Sequence, residues 1–586
     1  MIWRSYLRVL IVAGFALISV GCDYSDKAAL PPRNIRNPVL PRSNIPTATP
    51  RATGPATVKT ILSPDSPEQK EKREAILSNV LRLIETAGIT PGGNHFEIAT
   101  DNLNQYFEQG TKPGDFAISP ASRQYFSSIG IDEKILREFE SANFTIRDAR
   151  HLEDCMLYQE IATRIAGEGD DLTRVRRVFD WITRQVQLVP PQSLAPAGLQ
   201  QAQARPYDVL LRGMATETGY WSERGWLFMA LCRQLGIDVG LVTYTPAIAP
   251  PLLSAQPDAP EKAQTIAWIC AALIDDKAYL FDARIGLAIP DASGRGVATL
   301  DDALADPEIL DRLNLPNQSS YGTSGSDLRN SSTSIGILTD SSTGYLSPRM
   351  RLLQTRLTGK NRTILFRDPA DQRDHFVKVL GSRIGAVQLW DMPAQVERLL
   401  FSNPQFVEAT QQSLALFNQN LPLLYARMAQ LKGQTSEAMQ QYVACRFVER
   451  GLMRDKRTPI LPQVQVALDI YSTYFLGQCH LDQGNAKDAE FFFGETLRLV
   501  PEPGGGRPSF FMFRWGAETN LGLLCQARGE TSRAIAYFGH GQPTFQGHGN
   551  LLRARDLVWI DPLSPPCSPL PPAPLGTAPP GATTMR

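Results

Sequence analysis

The stretch Ser222-Glu223-Arg224-Gly225-Trp226-Leu227-Phe228-Met229-Ala230-Leu231-Cys232-Arg233-Gln234-Leu235-Gly236-Ile237 decides the fold class. From Ser222 to Leu235, the residues Leu227, Met229, Ala230, Leu231 and Leu235 leave a helix of 3.6-residue period almost no polar face, so the segment reads as a buried helix. β-branched and aromatic runs follow at Val239–Tyr244, Thr265–Ile274 and Lys277–Ile285, with Asp275-Asp276 as a turn between the last two. A helix followed by an antiparallel set of strands implies an α+β domain. Upstream, Glu153–Gln187 carries a helical stripe of Val175, Val178, Phe179 and Ile182 and is broken at Gly167–Asp170, and Glu71–Ala87 places Ile76, Val80, Leu83 and Ile84 on one face.

The chain has 586 residues with 59 basic and 59 acidic side chains. That length accommodates several domains, and zero net charge excludes the nucleic-acid binders, which need clustered uncompensated Lys and Arg. Met1–Arg8 carries Arg4 and Arg8 without an acid, and an apolar run from Val9 to Val20 then reaches Gly21-Cys22. Such a run can thread a secretion channel but falls short of the ~20 residues that span a bilayer, so residues 1–21 read as a signal peptide. Ser19-Val20-Gly21-Cys22 resembles the lipobox of bacterial lipoproteins. The resemblance implies that Cys22 is diacylated and becomes the mature N-terminus, which anchors an exported chain to a membrane on its periplasmic or cell-envelope side. Residues 22–70, rich in Pro, Thr, Ala and Arg, read as a disordered tether, and the Pro-rich tail 561–586 has too few apolar residues to fold.

Three C-terminal segments share a frame. Tyr425-Ala426 leads to Gly433, Ala438 and Tyr442; Leu476-Gly477 leads to Gly484, Ala489 and Phe493; Leu521-Gly522 leads to Gly529, Ala534 and Phe538. Each is expected to be a helix, a tight glycine turn and a second helix whose alanine permits close approach while the aromatic fills the gap. The segments resemble tetratricopeptide repeats, with Pro501 where that family ends a repeat. The glycines lie 45 to 51 residues apart rather than ~34. The resemblance implies an all-α array over 401–560 whose concave surface binds a partner protein.

Over Tyr158 to Leu287 the chain resembles the transglutaminase-like superfamily, a papain-like α+β fold. The residues that carry the resemblance are Arg174–Trp181, Leu227–Ile237, Ala267-Trp268 and Leu280-Phe281-Asp282. Active members pair a Cys at the helix start with a His on the next strand and an Asp at the end of the third. The thiol must sit where its pKa falls and within reach of the imidazole. Here the nucleophile slot falls on Trp221 and the base slot on Ile266, and only Asp282 matches. No Cys lies between Cys155 and Cys232, and no His between His151 and His375, so no shift of register restores the pair. The expected domain is therefore degenerate, with Trp221 and Ile266 packed together across the cleft. Thr216, Thr218 and Ser222 offer hydroxyls, but Glu223 reads as a solvated carboxylate and a weak base.

With Cys22 assigned, Cys155, Cys232, Cys270, Cys445, Cys479, Cys525 and Cys567 form neither a disulfide framework nor a C-x-x-C pair and read as small hydrophobes. His95, His540 and His548 lack neighbouring ligands in the sequence, so no metal or other cofactor is expected. The resulting plan is multidomain: signal peptide 1–21, tether 22–70, helical N-terminal region 71–150, transglutaminase-like domain 151–313, mobile Ser/Gly-rich insertion 314–347, connecting region 348–400, repeats 401–560 and disordered tail 561–586. It implies a scaffold or interaction protein. The alternative is an enzyme acting on amide or peptide bonds near Glu223 and Asp282.

Overall fold

A computed structural model describes residues 67–90, 93–108, 111–190, 204–217, 222–245, 265–315, 320–330, 335–447, 462–501 and 510–560. The expected signal peptide 1–21, Cys22, residues 23–66 of the expected tether, Thr218, Trp221 and the Pro-rich tail with Cys567 lie outside them, and residues 67–70, expected to end the tether, instead open a helix.

Helices α1 (Pro67–Ala87) and α2 (His95–Glu108) pack together, and α3 (Pro120–Ser128) and α4 (Glu133–Phe139) follow. Helix α5 (Ile146–Ala166) ends at Gly167, whose φ of 57° suits only glycine well. Asp170 then caps α6 (Asp171–Gln185) by accepting the Thr173 N–H at 2.7 Å. Strand β1 (Gln187–Val189), helix α7 (Pro206–Arg212) and strand β2 (Met214–Thr216) lead to α8 (Glu223–Gln234), every residue of which is buried. Next come β3 (Val239–Tyr244), β4 (Ile266–Ile274), β5 (Lys277–Asp282) and β6 (Leu287–Ala288). Asp275 and Asp276, at φ 49° and 56°, make the two-residue turn between β4 and β5.

The sheet continues beyond residue 313. After α9 (Leu300–Ala305), α10 (Glu308–Asp311) and α11 (Gly325–Asn330), strand β7 (Gly336–Asp340) pairs antiparallel with β3. Helices α12 (Thr343–Leu346), α13 (Pro348–Gln354) and α14 (Pro369–Leu380) precede β8 (Ala386–Trp390), which lies parallel to β7. The order is β6-β5-β4-β3-β7-β8, a mixed sheet. This corrects two expectations: residues 314–347 supply a central strand rather than an insertion, and 348–400 supply an edge strand rather than a connector. The five-residue run Gly336-Ile337-Leu338-Thr339-Asp340 is masked in the sequence by the Ser, Thr and Asn around it.

The sheet separates two cores. On one side Leu241, Cys270, Ala272 and Phe281 pack with α6 and α8; on the other Val242, Tyr244, Ile266, Trp268 and Leu280 pack with α9, α10 and α14. The remaining chain is helical: α15 (Asp391–Ser402), α16 (Pro404–Ser413), α17 (Ala415–Gln419), α18 (Leu421–Leu431), α19 (Thr435–Phe447), α20 (Pro462–Asp482), α21 (Ala486–Leu499), α22 (Phe511–Ala527), α23 (Thr531–Phe538) and α24 (Phe545–Ile560). The shared frame has the expected packing. Gly433, Gly484 and Gly529 turn at φ 78°, 74° and 73°, and Ala438, Ala489, Ala534, Tyr442, Phe493 and Phe538 are fully buried. A Cβ on Gly477 would lie 2.8 Å from the Phe493 ring, and one on Gly522 2.5 Å from that of Phe538.

Candidate functional site

Helix α8 is N-capped by Ser222, whose backbone bridges to Glu217 and whose buried hydroxyl oxygen has no hydrogen-bond partner among the described residues. Glu223 is not the solvated carboxylate expected from sequence. It is 1% exposed; its Oε1 accepts the Ala204 N–H at 2.5 Å, and its Oε2 accepts the Thr216 N–H at 2.8 Å and lies 3.4 Å from Arg212 Nη2. Burial pushes its pKa up, with Arg212 opposing. Because α8 is buried around its whole circumference, its first turn enters the interior and carries this acid along. Arg224 is also fully buried. It donates to Val186 O at 2.7 Å and Gln546 Oε1 at 2.6 Å, and burial pulls its pKa down to about 9. Glu217 accepts the Phe545 N–H at 2.9 Å and is pushed up to about 7 by burial.

The base slot is displaced. The β3–β4 register shifts between Val242 and Thr243, so that Val242 faces Ile269, Thr243 faces Ala267 and Trp268 is the extra residue of a β-bulge. Past the bulge Cys270 faces α8, since a Cβ on Gly225 would lie 3.4 Å from its Sγ. Before the bulge Ala267 packs toward that core while Ile266 belongs to the opposite one. The side of the strand facing α8 therefore presents a methyl group, and Ile266 points away. The expected pairing with Trp221 involves a residue outside the described set.

Asp282, at the end of β5, is fully buried and fully engaged. Its carboxylate accepts Arg284 N at 2.8 Å, Nε at 3.1 Å and Nη2 at 2.7 Å, and the Tyr321 hydroxyl at 2.6 Å. The Tyr321 oxygen accepts the Trp268 indole N–H at 3.0 Å. The two carboxylate oxygens are thus occupied by donors from Arg284 and Tyr321. Burial raises the Tyr321 pKa well above its usual range, which keeps the hydroxyl protonated. Tyr321 lies in the segment expected as an insertion, so only the recognition of β7 as part of the sheet could have pointed to it. Arg284, two positions after Asp282, was not singled out from the sequence, where only that short spacing could have pointed to it.

Imidazoles make their contacts elsewhere. Cys155 Sγ is 3.6 Å from His151 Nε2, one helical turn away on α5, and the thiol donates to Tyr345 OH at 3.2 Å. His151 Nε2 donates to Leu365 O at 3.0 Å, and burial pulls its pKa down to about 4 while pushing the thiol far up. A thiol held protonated in a closed core is not a nucleophile. His375 Nδ1 meets Asp238 at 2.8 Å, a carboxylate that also accepts both Arg367 Nε and Nη2. Among the described residues no group of three or more His, Cys, Asp or Glu side chains could hold a metal ion. The described cysteines are all buried.

The first helices of the repeat pairs face the α+β region. Arg427 on α18 donates to Leu210 O at the end of α7, Gln478 on α20 donates to Arg184 O at 3.1 Å, and Asn520 on α22 donates to the same carbonyl at 3.3 Å. Gln185 Nε2 reaches Asp482 at 3.2 Å, and a Cβ on Gly516 would collide with the Gln187 side chain. These first helices thus hold the chain's own α6–β1 junction and the end of α7. No protein-family model matches this chain, and neither the curated proteins nor the solved structures contain a match to it.

Proposed function

We propose that the chain is an exported lipoprotein held at a membrane through Cys22. In this reading a transglutaminase-like region without catalysis and a tetratricopeptide-like array together form one interaction body. The observation that carries the non-catalytic part is the saturation of Asp282 by Arg284 and Tyr321. A carboxylate with four donors has no acceptor left to orient a base. Amide- or peptide-bond chemistry at Glu223 and Asp282 has less support, because each carboxylate is already bound by groups of its own fold. A protein partner would meet the array on faces other than the one lined by Arg427, Gln478 and Asn520.

Purified mature protein is expected to give no transamidation, deamidation or peptide hydrolysis; turnover that is lost in Asp282→Asn but not in a surface control would overturn the reading. Cys22→Ala should abolish fatty-acid labelling and release the protein from membranes, and persistence of both would remove the anchor. In-cell crosslinking followed by partner identification tests the interaction role, and recovery of no protein beyond the chain itself argues against it.

A further inference from the structure

The basic residues between 349 and 383 divide into two groups. Arg349, Arg367, Arg373, Lys378 and Arg383 each meet a carboxylate, on Asp148, Asp238, Asp374, Asp276 and Asp301 respectively. Arg351, Arg356, Lys360 and Arg362 meet none among the described residues. Arg351 Nη2 donates instead to Asp115 O at 3.1 Å, and its guanidinium lies over the Phe366 ring. Arg356, Lys360 and Arg362 are exposed on the turn after α13, around Gly359 at φ 59°. Leu357, Thr358, Gly359, Arg362 and Ile364 are among the residues that line a cavity of about 410 Å³ in the same turn. In a chain with equal numbers of acids and bases, this corner concentrates positive charge that meets no carboxylate among the described residues, the charge that binds phosphate oxygens.

We propose that this corner docks on the anionic phospholipid headgroups of the membrane that holds the chain, an inference that rests on the lipid-anchor reading above. Three observations favour lipid over an acidic protein. None of the exposed large hydrophobic residues falls between 351 and 364, so the corner lacks the apolar anchor that centres a protein interface. The chain from Cys22 enters the folded body at Pro67 on α1, and Val80 and Ile84 of α1 share a core with Leu353, Leu357 and Leu365 around the corner. Pro67 lies about 20 Å along α1 from Val80 at 1.5 Å per residue. The intervening segment 22–66 can reach about 150 Å when extended, so the corner can touch the surface that holds the acyl chains. Acyl insertion and a basic patch are complementary signals, since each alone gives weaker membrane attachment than the two together.

The experiment separates the corner from the anchor. Mature chain carrying Cys22→Ala is sedimented with vesicles of phosphatidylglycerol in phosphatidylcholine and with phosphatidylcholine vesicles alone, at low and high salt. The same is done after adding Arg356→Gln, Lys360→Gln and Arg362→Gln. The non-acylated parent is expected to bind only the anionic vesicles and to lose binding at high salt. The triple substitution should weaken binding roughly a hundredfold, while the exposed control Arg295→Gln leaves it unchanged. Unchanged melting curves establish that these surface variants fold. Equal binding of the triple variant and its parent, binding to phosphatidylcholine alone, or no vesicle binding by the parent overturns the proposal. Fatty-acid labelling of the wild-type chain reports on the anchor independently: no label with intact vesicle binding removes the anchor and supports the corner, whereas label without vesicle binding by the Cys22→Ala chain removes the corner.

Discussion

Substituting Arg427 tests whether the array and the α+β region are one cooperative unit. The guanidinium is fully buried on α18, donates twice to Leu210 O at 3.1 and 2.8 Å and once to Gln430 Oε1 at 2.7 Å, and lies 4.3 Å over the Phe475 ring. It has no ion-pair partner among the described residues, and burial pulls its pKa down. Removing a buried charge relieves a desolvation cost of several kcal/mol, which offsets much of the ~1.5–3 kcal/mol that each charged hydrogen bond contributes. What remains for Arg427→Ala is a carbonyl at the end of α7 left with only the Gly213 N–H at 3.3 Å, and a cavity against Phe475, together about 3 kcal/mol. Arg427→Met refills the cavity without the charge and should cost about 1 kcal/mol. Because the donor belongs to the array and the acceptor to the α+β region, Arg427→Ala should speed amide exchange in β3–β5 and in α20–α22 by the same factor, on the order of a hundredfold. Hydrogen exchange read by mass spectrometry resolves both. Faster exchange confined to α18–α22 would refute the single-unit reasoning, as would a larger loss in Arg427→Met than in Arg427→Ala.

Tyr321→Phe removes the hydroxyl that donates to Asp282 and accepts from Trp268, and should lower unfolding free energy by about 2 kcal/mol in urea titration; an unchanged midpoint would show that the network holds nothing. Gly477→Ala and Gly522→Ala should each destabilise by about 1–3 kcal/mol through collision with Phe493 and Phe538, whereas Gly494→Ala, in open space within α21, should stabilise by about 0.5–1 kcal/mol. Thermal melts that rank the three otherwise would contradict the shared packing frame. Burial raises the carboxyl pKa of Glu217 and Glu397 to about 7 and that of Glu153 to about 8, so the folded chain binds protons that the unfolded chain has released. That stability is complete below the unfolded carboxyl range and is lost as pH rises through 7 to 8. The urea midpoint should therefore fall between pH 6.5 and 8.5, a window above the range where His151, pulled down to about 4, acts in the opposite direction.

The strands Val239–Tyr244 and Ile266–Ile274 were legible because β-branched runs bounded by turn residues have few alternatives, and the Asp275-Asp276 turn declared itself by residue type. Strand β7 was not legible, since its pairing to β3 depends on contacts nearly a hundred residues away and its surroundings look like linker. The bulge at Trp268 was equally hidden. Every position after it keeps a strand's alternation, so only the partner register reveals that Ile266 has changed sides. The repeat frame was legible as Gly, Ala and aromatic spacing. The burial of Glu223 required knowing that loop backbone at Ala204 and strand backbone at Thr216 would converge on its carboxylate.

Deleting the repeat array is a poor way to find out what it binds. Helices α18, α20 and α22 supply the donors that satisfy Leu210 O and Arg184 O, and Gln546 of α24 supplies the acceptor for buried Arg224. Without them, the carbonyls at the ends of α6 and α7 and the guanidinium on α8 would each lose a buried hydrogen bond, at about 1–3 kcal/mol apiece, a large share of the stability of a domain. A truncated chain that loses its crosslinks would report misfolding as readily as a lost interface. Substitutions at Val443 and Phe491, exposed on the second helices α19 and α21, touch none of these bonds. A crosslink that disappears on their replacement by Ser, with the melting curve unchanged, would report recognition by the outward face of the array.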